Sequence, residues 1–278
     1  MSNTNKDSNI LRLSISKMKT FQQCPKKFYY NYVLKLPKKE FKHLTFGKCC
    51  HRVLELYHLA FIEGTLLPKN VIMKDSFKKT MVEYKDQIDD ETKKQVYDIS
   101  LAYLRLEQNK SDKIFVIATE KPFEINIDNK VILNGAIDKI QIDEDGLFNV
   151  SDYKTSKDTK YLKNDTFQLE TYAYTLWHYQ QTDQKWYNKE IDIDNFQART
   201  SYVMLKHNFE ELTNIVGMDK ILNVPKKFVA CANKIENEKE YKPNASALCD
   251  YCDFQEVCPA QISKKNNWIP KKKDDNWA

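Results

Sequence analysis

Apolar positions recur at helical spacing over residues 14–33, where Met18, Phe21, Phe28, Tyr29 and Tyr32 share one face. Ser14 or Ser16 can cap that helix, and Pro25, directly after Cys24, predicts a break or a second helix start. A further helix is expected over 46–63, with Val53, Leu54, Tyr57 and Phe61 on one side. Residues 69–110 read as two more amphipathic helices. The period then changes. Segments 113–127 and 130–142 alternate and are rich in β-branched residues, as strands are. Asp143-Glu144-Asp145-Gly146 is a hairpin turn, and 147–155 is the strand that follows it. Helix returns over 167–179 and strand over 200–205. Helices are then expected to about residue 239, followed by a cysteine-rich segment and a lysine-rich tail from residue 263. The order predicts an α/β fold with one main sheet. No internal repeat or low-complexity linker interrupts it.

Composition adds limits rather than identity. The chain has 278 residues, 41% hydrophobic and 30% charged, an ordinary soluble globular balance. No apolar run approaches the roughly eighteen residues of a membrane span. The opening MSNTNKDSNILRLS lacks the apolar core of a secretory signal, so an intracellular, cytoplasmic address with reduced thiols is expected. Seven cysteines there point to metal binding rather than disulfides. Charge is unevenly placed: residues 1–52 hold twelve Lys or Arg against Asp7 and Glu40. Interleaved with Phe21, Phe28, Tyr29, Tyr30 and Tyr32, that excess suits a single-stranded nucleic acid, whose phosphates meet the charges and whose bases stack on rings. A solvated helix whose aromatics pack inward accounts for the same pattern.

The hairpin carries the most informative chemistry, with G-A-I-D at 135–138 and S-D-Y-K at 151–154. A turn centred near residue 145 is symmetric for pairing Asp138 with Asp152, and Asp152 and Lys154 point to one face of a strand. Two carboxylates and an ammonium on one face suit a hard divalent cation such as Mg²⁺ or Mn²⁺. Such an ion lowers the pKa of bound water and screens a phosphodiester. An exposed ion pair between these residues is the plain alternative, although Asp is depleted in strands.

E-K-P-F at 120–123, G-A-I-D, S-D-Y-K-T at 151–155 and Q-L-E-T-Y at 168–172 resemble, in order and spacing, the PD-(D/E)XK nuclease superfamily. The RecB-like branch, with its AddB-type and CRISPR-associated exonuclease members, is most similar. Gly47-Lys48-Cys49-Cys50-His51 matches that branch's G-x-x-x-H motif, though aliphatic or small residues are more usual where Cys49 and Cys50 stand. The resemblance spans nearly the whole chain. It implies a restriction-endonuclease-like core, a central mixed sheet flanked by helices, in one integrated domain. Residues 1–112 would form a helical N-terminal region with the histidine motif, 113–240 the nuclease core, and 241–278 a C-terminal segment and basic tail. Asp138 and Asp152 would be the main metal ligands, with His51 and the Tyr153 backbone carbonyl as further ones. Lys154 would be the catalytic lysine and Glu120 would reach the metal through water. Gln168 and Tyr172, at i and i+4 on one helical face, would lie beside the site.

Cys249, Cys252 and Cys258 form a C-x₂-C-x₅-C group that lacks a fourth ligand. Cys24, Cys49, Cys50 and Cys231 compete for that place. Cys231 lies in an amphipathic helix where a thiol behaves as a small hydrophobe, and Cys49 and Cys50 adjoin His51. Cys24 sits at a helix break before proline, as does Cys258. By chemistry alone, tetrathiolate zinc and a [4Fe–4S] cluster are both allowed. The resemblance implies the cluster, held by Cys24, Cys249, Cys252 and Cys258 and acting as a structural staple.

The function implied is a metal-dependent DNA nuclease, an exonuclease on single-stranded DNA or DNA ends. Two alternatives stand beside it. One is a non-catalytic DNA-binding or accessory subunit of a repair, recombination or CRISPR assembly; the other is a structure-specific endonuclease. No GxxxxGK[ST] pattern occurs, so a partner helicase would be another chain.

Overall fold

The computed structural model describes residues 10–38, 42–110, 114–156, 159, 162, 165–188 and 191–266. The lysine-rich tail from residue 267 onward lies outside them. The chain divides into two compact units, one of residues 1–13 and 40–232, the other of residues 14–39 and 233–278. No described helix is long and apolar enough to cross a membrane.

The larger unit is a six-stranded mixed sheet flanked by helices. Its strands are β1 (Leu11–Leu13), β2 (Phe115–Ile127), β3 (Val131–Ile142), β4 (Phe148–Lys154), β5 (Ala198–Met204) and β6 (Glu210–Val216). The order is β1-β3-β4-β5-β6, and β2 also pairs with β3. The β2–β3–β4 meander and β5–β6 are antiparallel, whereas β1 on β3 and β4 on β5 are parallel. The Asp143–Gly146 turn places Lys139 opposite Ser151, the register in which Asp138 falls beside Asp152. One side of β3 is shared: β1 pairs with Val131–Leu133 and β4 with Lys139–Ile142. Between those stretches β3 and β4 diverge, and Asp138 stands at the fork.

Long helices α3 (Lys42–Ile62), α4 (Lys69–Glu83) and α5 (Asp90–Gln108) pack together over the sheet. Their apolar faces form one core with strand residues: Phe46, Val53, Leu54 and Tyr57 of α3, Met73 of α4 and Val96 of α5 meet Tyr153 and Val203. Each such side chain, fully removed from water, stabilises the fold by about 1.5–3 kcal/mol before entropy is counted. Helix α6 (Phe167–Gln180) packs on β4 and β5, burying Leu169, Tyr172, Ala173 and Leu176. Short α7 (Met218–Ile221) and then α8 (Val224–Asn237) follow the sheet.

The first glycine of G-A-I-D has a packing cause. A Cβ on Gly135 would come within 2.7 Å of the buried Phe123 ring, which sits opposite it on β2. Gly135→Ala is expected to destabilise the protein by about 1–3 kcal/mol through overpacking. A urea midpoint unchanged from wild type would contradict this.

Two strands were not expected. Where the sequence predicts helix over 206–216, Asn208 and Phe209 turn the chain with φ of 50° and 60°, and β6 follows as an edge strand. It is almost wholly exposed, so it shows no alternation of apolar residues. β1 has only three residues, too few for a period. Helix α3 also begins four residues earlier than its apolar pattern.

The smaller unit joins two segments distant in sequence. Helix α1 (Ile15–Gln23) is capped by Ser14, whose side chain accepts from Lys17 N–H, and ends at Cys24. Pro25 starts α2 (Pro25–Phe28), which runs into a π-helical turn, Tyr29–Val33. The C-terminal segment adds a 3₁₀ turn (Ala247–Tyr251) and α9 (Pro259–Asn266). Aromatic contacts stitch the two together: Tyr29 on Tyr241 at 4.8 Å and Tyr30 on Phe254 at 5.5 Å. Phe21 and Phe28 are buried, so these two rings are core rather than a stacking surface.

Candidate active site

Three strands and two helices converge at the fork. Glu120 and Asp138 belong to neighbouring strands, since their flanks Thr119–Lys139 and Lys121–Ile137 are paired. Glu120 has φ of 41°, the left-handed region, inside an otherwise extended strand. Strain of this kind costs about 1–3 kcal/mol and persists where surroundings enforce it. Thr119 Oγ1 donates to the Asp138 backbone carbonyl at 3.0 Å, holding the same place from the other side.

His51 arrives from α3. Its Nδ1 stands 3.5 Å from Glu120 Oε1 and 3.4 Å from Asp138 Oδ2, and its Nε2 is 3.0 Å from the Tyr153 carbonyl oxygen. A carbonyl only accepts, so Nε2 carries a proton and Nδ1 is the nitrogen turned to the carboxylates. One turn before it, Gly47 lets the helix approach the end of β4, because a Cβ there would lie 3.3 Å from Thr155 Oγ1. That is a physical reason for the G-x-x-x-H spacing: the glycine admits the helix and the histidine reaches the site.

Asp138 Oδ2 also accepts from Tyr153 N–H at 2.7 Å. Asp152 is held by other partners. Its Oδ1 accepts from Gln168 Nε2 at 2.5 Å and from Tyr172 Oη at 3.2 Å. Lys154 Nζ lies 2.6 Å from Asp152 Oδ2 and donates to Gln168 Oε1 at 3.1 Å. The Lys154 ammonium is thus the charge partner of buried Asp152 Oδ2. Lys154 also stands 5.0 Å over the Tyr202 ring, on the β5 residue paired with Asp152. Of the residues that the sequence singles out, His51, Glu120 and Asp138 form one group of ligand atoms and Asp152, Lys154, Gln168 and Tyr172 a bonded group on β4 and α6, whereas the Tyr153 carbonyl, expected on the metal, accepts from His51 Nε2. Tyr202, Thr119 and the strain at Glu120 escaped sequence reading. Tyr202 was visible only as a tyrosine in a buried strand, and the other two leave no signal.

Charges are crowded here. Burial first, then the neighbouring Asp152, raises the Asp138 carboxyl well above the usual carboxylate range. Burial opposes a charge on His51, but the hydrogen bond to Glu120 and the Asp138 and Asp152 carboxylates outweigh it and raise its pKa to about 9. Burial and then Asp152 keep Tyr172 a protonated donor. The donor set fits a hard cation: ligand atoms of His51, Glu120 and Asp138 all lie within 4.8 Å of one another.

The thiols separate as two kinds. Cys49, Cys50 and Cys231 are buried, and burial pushes the Cys49 and Cys50 thiols up to about 11 and 12, so they stay protonated and inert. Cys24, Cys249, Cys252 and Cys258 line one pocket of the smaller unit. Backbone N–H groups of Lys27 and Asn244 point at Cys24 Sγ, and that of Ser246 at Cys249 Sγ, each at 3.4 Å. Among the described residues, no three thiol sulfurs lie within 4.8 Å of one another.

A family model described as the PD-(D/E)XK nuclease superfamily matches residues 12–259. No curated protein matches the sequence. Among solved structures, SSO0001 is similar with 14% identity and a TM-score of 0.40, covering 90% of this chain and 86% of that one. A protein from Eubacterium rectale described as a putative exonuclease is similar with 14% identity and a TM-score of 0.47, covering 98% and 95%.

Proposed function

The chain belongs to the PD-(D/E)XK nuclease superfamily, and from that premise we propose that it is a divalent-metal-dependent DNA nuclease. The observation that carries this reading is the meeting of His51, Glu120 and Asp138 with the Asp152–Lys154 pair at one sheet fork. His51, Glu120, Asp138 and Asp152 would hold Mg²⁺ or Mn²⁺, which supplies Lewis acidity and water of lowered pKa. Tyr153 N–H orients the Asp138 carboxylate, and Gln168 with Tyr172 orients Asp152. Lys154, kept in place by Asp152, Gln168 and Tyr202, meets the negative charge that develops on phosphate as the water attacks. The half-buried tyrosines of the smaller unit, with Lys17 and Lys38 within 6 Å of the Tyr32 ring, favour single-stranded DNA or DNA ends, hence exonuclease action. Incubation of 5′- and 3′-labelled single- and double-stranded DNA with Mg²⁺ or Mn²⁺ tests this. Binding without cleavage in either metal would support an accessory subunit instead.

The four thiols of the smaller unit are assigned to a [4Fe–4S] cluster. They line one pocket, and the N–H groups directed at Cys24 and Cys249 are donors of the kind that stabilise ligating sulfurs.

The acidic site has a pH consequence. His51 has a pKa raised above its ordinary value, so at neutral pH it holds a proton that a metal must displace. Mn²⁺ affinity is expected to rise as pH increases toward about 9 and to level off above it. Calorimetry in buffers of different ionisation enthalpy should show proton release near pH 7; affinity independent of pH across this window would contradict the assignment.

A further inference from the structure

The acidic site does not account for the last of the three histidines on α3. His58 lies two turns beyond His51 and is buried, with only 2% of its surface exposed. Its Nε2 is 2.7 Å from Tyr103 Oη of α5 and 3.5 Å from Tyr153 Oη of β4. The two phenols are 3.2 Å apart, which closes a triangle of polar atoms inside the apolar core. Burial of three such groups is costly unless they satisfy one another, and here they do.

Tyr153 is the common member of this triangle and of the acidic site. Its backbone N–H binds Asp138 Oδ2 and its carbonyl receives His51 Nε2, while its phenol lies in the triangle. The ring between them has no slack. It meets the His51 ring edge-on at 5.8 Å and the Tyr103 ring at 6.3 Å, and Lys139 Nζ sits 5.8 Å from its centroid. One tyrosine is thus gripped at both ends by two histidines of the same helix. Seven residues of α-helix advance about 10 Å, comparable to the reach of a tyrosine from carbonyl to hydroxyl. Two fixed points on one residue, its backbone carbonyl and its phenol, restrain α3 from sliding or turning on β4. A single fixed point would allow rotation about it.

We propose that His58 and Tyr103 are positioning residues. By anchoring the Tyr153 phenol they set the distance between His51 Nδ1 and Asp138 Oδ2, and so the metal site, without touching metal or DNA. This rests on the nuclease reading above. Apolar groups would have filled the same volume at less cost, as Val53, Leu54, Val96 and Val203 do elsewhere in this core, although buried Lys139 and Glu107 also lie nearby. What a polar triangle adds is direction: hydrogen bonds specify one rotation and one height of α3, where methyl groups would accept several.

The test uses Tyr153→Phe and His58→Leu, which remove one anchor each and keep the core filled. His58→Gln serves as the conservative variant, since its amide can still bond the phenols. Mn²⁺ affinity is measured on the folded full-length proteins, alongside kcat and KM on labelled DNA. A positioning role predicts that His58→Leu and Tyr153→Phe weaken Mn²⁺ binding by about tenfold or more, lower kcat and leave KM for DNA unchanged. His58→Gln should recover most of the loss. Val131→Ala, a core truncation at the far end of β3, controls for lost stability: it should lower the melting temperature yet leave Mn²⁺ affinity alone. If His58→Leu and Tyr153→Phe bind Mn²⁺ as wild type does, or if Val131→Ala loses affinity in step with its stability, the inference is overturned. If wild-type protein binds no Mn²⁺ at all, the nuclease reading fails first and takes this inference with it.

Discussion

Lys154→Ala is expected to lower phosphodiester cleavage by about a thousandfold while leaving DNA binding nearly intact. In the proposed reaction the ammonium would meet charge that exists only in the transition state, so its removal should appear in kcat rather than KM. Asp138→Ala and Asp152→Ala should reach the same background by different routes. The first strips the acceptor from Tyr153 N–H and from His51; the second leaves Lys154, Gln168 and Tyr172 without the carboxylate they share. Pairing either change with Lys154→Ala should add little, because residues acting as one unit are non-additive. Cleavage that survives undiminished in any of the three single variants sinks the site assignment. Additive losses would mean that Lys154 works apart from the carboxylates.

The second large effect concerns the thiols. Cys24→Ser should abolish the visible absorption of a brown protein, and serine at 249, 252 or 258 should do the same. The cluster would close a chain loop of about two hundred residues, so by the chain-entropy argument its loss costs about 5 kcal/mol. A fall in melting temperature of about 10 °C or more is expected for a chain of this length. Wild-type protein that is colourless and carries stoichiometric zinc would overturn the cluster.

Much of this arrangement could be read from the chain because it depends on local rules. The turn at Asp143–Gly146 and period-2 alternation sufficed to place Asp138 beside Asp152. Helical spacing placed Gln168 and Tyr172 on one face, and both bind Asp152 Oδ1 through that face. The proline after Cys24 marked a real break, with the thiol between two helices. What stayed hidden depends on long-range packing. Glu120 takes a left-handed conformation because its neighbours compel it, and nothing in E-K-P-F announces that. His58 and Tyr103 are far apart in sequence and each reads as an unremarkable residue of an apolar face, while Tyr153 stands out only for its backbone carbonyl and not for its phenol. Edge strand β6 was misread because solvent covers both its faces, leaving no alternation to detect.

The fork itself has a consequence for how this protein could be improved. Between the stretches of β3 that pair with β1 and β4, a regular ladder has been given up, and Tyr153 N–H bonds a carboxylate where a strand would offer a carbonyl. Closing that gap would lengthen the sheet and relieve two crowded carboxylates, which is the direction selection for heat resistance would take. It would also erase the site. Thermal hardening of this enzyme therefore has to come from elsewhere, from helix surfaces and loops, because at the fork durability and catalysis compete for the same few residues.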